Sequence, residues 1–129
     1  MPTFPYFKQY DAMDCGPTCI RMIAAFYGKN YSLQKLRQLA HITREGVSLL
    51  GLSEAAEAIG FRTIGARITL EQLLQAPKPC MVHWDQEHFV VVYKLKKGKV
   101  YVADPAFGLV EYSDAEFKKH WLATVRHGE

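Results

Sequence analysis

Residues 14–28 read Asp14-Cys15-Gly16-Pro17-Thr18-Cys19-Ile20-Arg21-Met22-Ile23-Ala24-Ala25-Phe26-Tyr27-Gly28. Proline is comfortable in an α-helix only in the first turn, so Pro17 fixes a helix start close to Cys15. Beyond it Cys19, Ile20, Met22, Ile23, Ala24, Phe26 and Tyr27 put apolar side chains on nearly every face. A helix of that kind belongs in the middle of a domain, and Gly28 with Asn30 ends it. The segment therefore places a thiol at the mouth of a central helix, where the helix dipole and unpaired N–H groups favour a thiolate. Asp14 pulls the other way, because a carboxylate facing the sulfur disfavours its negative charge. Asp14 is expected to turn back and cap the helix. Taken alone, Cys15 reads more readily as a small buried core residue than as a nucleophile.

Outward from this helix the chain divides into a helical half and a strand half, a segregated α+β order. Ser32 caps a short amphipathic helix through about Ala40, and Ser48 caps a third helix from Leu49 to Ile59 that Gly60 stops. Alternation from Phe61 to Ile68 predicts a strand, and Thr69 caps a brief helix before Pro77 and Pro79. Four further strands follow: Cys80 to Trp84, His88 to Leu95, Val100 to Ala103 and Leu109 to Tyr112. Phe89-Val90-Val91-Val92-Tyr93 has no polar face, which predicts a central strand covered on both sides. Ser113 or Asp114 caps a last helix ending near His120.

A thiol needs a base to act as a nucleophile, and an imidazole needs a third group to fix its tautomer and orientation. His88 opens one strand and Asp104-Pro105 closes the next, with the hairpin turning near Lys96-Lys97-Gly98. A two-residue turn would put His88 and Asp104 on opposite faces, because side chains alternate with period two. A three-residue loop with Gly98 in the left-handed position puts them on one face. They are then diagonal neighbours about 7–8 Å apart, a gap that His and Asp side chains bridge. Alternative readings make His88 an edge histidine bonded to backbone and Asp104 a turn initiator before proline.

The other candidates offer less. Cys19 lies one helical turn after Cys15 and Cys80 opens a strand, so both read as inert core thiols. A metal site from Cys15, Cys19, His83 and His88 lacks the paired Cys-x-x-Cys spacing of structural zinc sites. His41, His120 and His127 have no partner visible in the sequence.

The 129 residues amount to a single domain, 1–129, and 49% hydrophobic residues suffice for a core. Three cysteines cannot all pair, which fits a reduced, cytosolic setting. The sequence holds no long apolar span and no signal-peptide pattern. A net charge of +3 gives no case for nucleic acid, and Lys94, Lys96, Lys97 and Lys99 cluster at a turn where charges are solvated.

Gln9-x-x-x-x-Asp14-Cys15-Gly16, with Met22-Ile23 and Tyr27-Gly28, resembles the N-terminal peptidase domain of peptidase-containing bacterial ABC transporters. These are bacteriocin-processing, double-glycine-leader cysteine peptidases of papain-like fold. The resemblance continues through Gly46-Val47-Ser48-Leu49-Leu50-Gly51-Leu52, Ala55-Ala56, Gly60-Phe61, His88-Phe89-Val90-Val91-Val92, Asp104-Pro105-Ala106-x-Gly108, Phe117 and Trp121. It implies Cys15 as nucleophile, His88 as general base and acid, Asp104 as its orienting group and Gln9 as oxyanion donor. Alone, Gln9 would read as a surface glutamine.

The resemblance further implies cleavage of a precursor after Gly-Gly or Gly-Ala on the cytosolic side, coupled to export. The partners would be a precursor with an amphipathic helical leader and the membrane and ATPase domains of a parent transporter. A free-standing peptidase is the other possibility. No ATP-binding motif occurs, so the domain is expected to need neither nucleotide nor metal. A second reading is a non-cleaving module of the same fold that docks its substrate, and the presence of Cys15 argues against it.

Overall fold

The computed structural model describes residues 4–43, 47–63, 68–85 and 88–127, the last six without their side chains. Among the described residues, five α-helices and a four-stranded sheet follow the expected α+β order. A 3-10 turn, Ala12–Asp14, runs directly into α1 (Cys15–Phe26). Helices α2 (Leu33–Ala40) and α3 (Leu49–Ala58) begin at Ser32 and Ser48, whose hydroxyls accept from the Lys35 and Gly51 N–H groups. Those are the capping bonds that the two serines predict. Thr69 and Gln72 close a capping box at α4 (Leu70–Gln75).

Strands β1 (Cys80–Trp84), β2 (His88–Lys96), β3 (Lys99–Asp104) and β4 (Gly108–Ser113) form an antiparallel meander in sequence order. The central strand is covered on both sides, as its unbroken apolar run requires. Phe89 and Val91 face Cys19, Ile20 and Met22 of α1, with Leu36 and Ala40 of α2 and Leu52 and Ala55 of α3 behind them. Val90 and Val92 face the opposite core, where Phe117 and Trp121 of α5 (Asp114–His127) meet Leu73 and Trp84. Period-two alternation thus assigns alternate residues of one strand to two cores. Helix α1 is buried through its first turns and emerges at its end, where Phe26 and Tyr27 are half exposed.

Two glycines allow the helical half to close on the thiol. A Cβ at Gly16 would lie 2.6 Å from Leu52 of α3, and one at Gly51 would collide with the Ala40 carbonyl. Helix α3 therefore seats directly against the turn that carries Cys15.

Most element ends fall within a residue of the sequence reading, and two elements depart from it further. Phe61–Thr63 and Ile68 are irregular rather than strand, while 64–67 lie outside the described residues. Phe61 is instead engaged by the end of α1, with its ring 5.6 Å from Tyr27 and Lys29 Nζ 5.2 Å above it. Helix α5 passes His120 and runs to His127, because no glycine or proline interrupts it before Gly128.

The hairpin corrects the loop that was expected to align His88 with Asp104. Lys96 pairs with Lys99, so the turn is the two residues Lys97-Gly98, with Gly98 at φ +72°. Parity is restored further along, where the register shifts between Val92 and Lys94. Tyr93 is the extra residue of a β-bulge. Before the bulge Lys94 faces Tyr101; after it Val92 faces Val102 and Val91 faces Ala103. Extending that register sets Asp104 opposite Val90, two residues from His88 and on the same face. Without the bulge Asp104 would oppose Val91, and His88 would point the other way.

Candidate active site

Cys15 is the first residue of α1 and is buried, with 4% of its surface exposed. His88 stands at the first position of β2 and Asp104 at the last of β3. His88 Nε2 lies 2.7 Å from Asp104 Oδ1, with the two side chains 22% and 2% exposed. The same Oδ1 accepts the Ala106 N–H at 2.9 Å. Turn initiator and histidine partner are therefore one role, since a single oxygen holds both the Pro105 turn and the imidazole.

The Cys15 side chain is the second group that acts on the His88 ring. Nε2 is taken by Asp104, so Nδ1 is the nitrogen left for the sulfur. Burial opposes charge on His88. The hydrogen bond to Asp104, the one to Cys15 and the electrostatic pull of both groups outweigh it and raise the imidazole to about 9. At neutral pH the ring therefore keeps its proton. Such a ring can donate to a departing group, and its sulfur neighbour can attack a carbonyl carbon.

Gln9 bridges the turn after Asp104 and the turn before Cys15. Its main-chain N–H donates to the Pro105 carbonyl at 2.8 Å, which ties it to the turn after Asp104. Its Nε2 donates to the Asp11 carbonyl at 2.9 Å, which ties it to the turn before Cys15. Its buried Oε1 accepts no hydrogen bond among the described residues.

Asp14 does not cap α1, contrary to the sequence expectation. It is fully buried and accepts from Arg37 Nε at 2.7 Å, Arg37 Nη2 at 2.6 Å and the Asp11 N–H at 3.1 Å. Two bonds from a guanidinium, which also pairs the buried charge, outweigh a single bond from a backbone N–H, and they take the carboxylate to α2's side of the turn. Arg37 and Tyr6 were both missed by the sequence reading. The Tyr6 hydroxyl donates to the Asp104 carbonyl at 2.7 Å across 98 positions of chain, and no local pattern announces such a contact.

The remaining candidates separate from this site. Cys19 donates its thiol to the Phe89 carbonyl at 3.3 Å, and burial, then Cys15 and Asp104, push its pKa well up. Burial raises Cys80 to about 11 despite the opposing charge of Lys78. Both thiols therefore stay protonated at neutral pH, as core thiols do. His83 stacks on Phe89, with ring centres 4.7 Å apart. No group of three or more His, Cys, Asp or Glu side chains among the described residues is placed to hold a metal ion. His41 and His120 do have partners, contrary to expectation: Glu54 at 3.7 Å and Asp85 at 2.8 Å. The side chain of His127 lies outside the described residues. Lys99 pairs with Glu111 at 3.0 Å, which neutralises part of the basic turn.

The sequence matches the Peptidase C39 family over residues 3–126. It is 32% identical to the colicin V secretion/processing ATP-binding protein of Escherichia coli, over 94% of this chain and 17% of that protein. It is 36% identical to the lactococcin-G-processing and transport ATP-binding protein of Lactococcus lactis, over 91% of this chain and 18% of that one. The chain thus spans under a fifth of these relatives. No helix among the described residues is long and apolar enough to cross a membrane.

Two solved structures share the fold across nearly the whole chain. A double glycine motif protease from an AMS/PCAT transporter, in complex with the leader peptide, superposes with a TM-score of 0.87 at 31% identity, covering 94% of this chain and 87% of that one. The peptidase domain of Streptococcus ComA, a bi-functional ABC transporter of a quorum-sensing pathway, gives 0.83 at 31% identity, covering 94% of each chain. With a buried thiol at a helix start, a shared imidazole and a match over residues 3–126, the chain belongs to the Peptidase C39 family of cysteine peptidases, with their papain-like fold.

Proposed function

We propose that this chain is a cysteine endopeptidase that cuts a precursor peptide after a Gly-Gly or Gly-Ala pair, and that Cys15, His88, Asp104 and Gln9 perform the cut. The precursor would carry an amphipathic helical leader. Cleavage would take place at the cytoplasmic face of the bacterial membrane and be coupled to export by the membrane and ATPase domains of a parent ABC transporter.

In this reading the Cys15 sulfur, its proton held by His88, attacks the carbonyl carbon of the second glycine. Gln9 Nε2 donates to the oxygen as it becomes negative. The tetrahedral intermediate collapses when His88 gives its proton to the departing amine, which leaves the leader as a thioester on Cys15. Water then attacks the thioester, with His88 taking its proton. His88 returns that proton to the sulfur as the leader acid leaves. Asp104 keeps the ring aimed through both halves. Two glycines present no side chains, so a narrow cleft selects them by excluding everything larger.

Affinity would then come from the leader helix docking in a groove. Leu49 and Leu50 suit its apolar face: they are 60% and 69% exposed on the first turn of α3, whose Leu52 packs against Gly16 beside Cys15.

The observation that carries this reading is His88, held by Asp104 at 2.7 Å and drawn toward its charged form by both Asp104 and Cys15, the thiol at the start of α1. A docking module has no use for that arrangement. The test is incubation with double-glycine precursors, followed by weighing the products. New masses matching cleavage after the glycine pair support the peptidase. A precursor that binds and stays intact makes the chain a docking module of the same fold.

A further inference from the structure

We infer that Arg37, on a helix that does not touch the reacting atoms, is a positioning residue that sets the orientation of the Gln9 amide through Asp14 and Asp11. The inference rests on reading Gln9 as the oxyanion donor.

The chain of contacts is continuous. Arg37 grips buried Asp14 with two prongs, Nε on Oδ1 at 2.7 Å and Nη2 on Oδ2 at 2.6 Å. Nη2 also reaches Asp11 Oδ2 at 3.3 Å. Asp11 Oδ1 accepts the Met13 N–H at 3.0 Å, and the Asp11 N–H donates to Asp14 Oδ2 at 3.1 Å. Every polar group of Asp11 except its carbonyl is thereby fixed from this turn or from Arg37. A planar fork holds a carboxylate in one orientation, which a lysine point charge does not.

The Asp11 carbonyl is the output of this clamp. A carbonyl oxygen accepts two hydrogen bonds. Here one comes from the Asp14 N–H at 3.0 Å and the other from Gln9 Nε2 at 2.9 Å. Rotating the Gln9 amide by half a turn would set Oε1 against that oxygen, acceptor facing acceptor. The carbonyl therefore selects the nitrogen. Because buried Oε1 accepts nothing among the described residues, the amide is oriented from its nitrogen end. One N–H serves Asp11, and the second is left for an oxyanion. Arg37 also balances the charge of Asp14, the residue next to the nucleophile in the chain. A buried carboxylate without that partner is costly and would force the turn open.

The experiment compares Arg37→Gln, Gln9→Ala and the double variant in the folded protein. Side-chain amide signals are read from protein labelled with ¹⁵N only at glutamine, with Gln9 assigned by its loss in Gln9→Ala and, against the glutamine that Arg37→Gln adds, by its loss in the double variant. In Arg37→Gln the Gln9 pair should move to the position of a free, solvated amide. On a double-glycine precursor kcat should fall by at least about tenfold with KM nearly unchanged, part of the about 10²–10³ that one oxyanion donor supplies. The double variant should lose less than the product of the single losses, by about tenfold, because both changes disable one device.

A Gln9 pair that stays in place in folded Arg37→Gln overturns the inference, as does a double variant whose losses multiply. The amide signals need no substrate. A protein that cuts no double-glycine precursor would therefore sink the proposed function, while the amide shift still decides whether Arg37 orients Gln9. If Arg37→Gln does not fold, Asp11→Ala takes its place. It deletes the turn cap and one Arg37 contact, spares the Asp14 pair, and should move the same signals in the same direction.

Discussion

The turn that carries Cys15 and the sheet end that carries His88 and Asp104 meet at one site but are built by different physics. Around Cys15 the backbone is set by bonds that span two or three residues: Met13 N–H to Asp11, Asp11 N–H to Asp14, Asp14 N–H to the Asp11 carbonyl. At the sheet end His88 and Asp104 are sixteen positions apart and come together only because the strand register is right. A local turn tolerates a substitution that keeps its bonds. A register is all or nothing, since a slip of one residue sends every side chain to the other face. The two halves of the site should therefore fail in different ways.

The largest losses should come from either half's reacting group. Cys15→Ala and His88→Ala should each lower kcat by about 10⁴–10⁶ with the fold retained, since nucleophile and base act as a unit. Progress curves with a double-glycine precursor, with leader binding measured alongside, check this. Appreciable turnover in either variant removes that residue from the mechanism and leaves the comparison one-sided.

Asp104→Asn should lose less, up to about 10⁴. An asparagine oxygen can still accept from His88 and from the Ala106 N–H, so the register and the turn survive while the charge does not. If Asp104→Asn falls as far as His88→Ala, the charge of Asp104 matters more than the alignment it provides.

The pH dependence sharpens the same point. Because Asp104 and Cys15 raise His88 to about 9 against burial, the folded state holds a proton that the unfolded chain releases near its ordinary value of 6.5. The stabilisation is complete below about 6.5 and is lost as pH rises through about 9. Tm should fall across that window, and less so in His88→Ala. In the same range kcat/KM should show its alkaline limb, since catalysis needs the imidazolium. A flat Tm between these values would mean that the sheet end does not bind the proton tightly.

How much of this was legible follows the same division. Ser32, Ser48, Thr69 and Pro17 announce their helix starts through bonds within a single turn, and all four helices begin where these residues say. The unbroken apolar run of β2 correctly placed that strand between two cores. By contrast, the bulge at Tyr93 has no local signature, because a tyrosine in a Val-rich strand reads the same whether paired or looped. His88 and Asp104 were put on one face by way of a loop that does not exist. The grip of Arg37 on Asp14 was invisible for the same reason: it joins positions 23 residues apart across two helices. Phe61 alternated like a strand residue but was captured by the end of α1.

The smallest effect should fall on Gly98, where the comparison can be tested most cleanly. Gly98 sits at φ +72°, and a Cβ added there would meet no atom within 4 Å, so the cost of a side chain is conformational rather than steric. Gly98→Ala should destabilise the fold by about 1–2 kcal/mol, the penalty for placing an ordinary residue in the left-handed region. Gly98→Asn should recover part of it, because asparagine visits that region more readily. Neither should change kcat under conditions where the protein is fully folded, because parity between His88 and Asp104 is set at Tyr93, five residues closer to the site than this turn. Denaturant midpoints and kcat measured on the same samples separate the two quantities. A drop in kcat that accompanies the stability loss would move the alignment of the sheet end back to the turn, and with it the claim that the bulge sets the site.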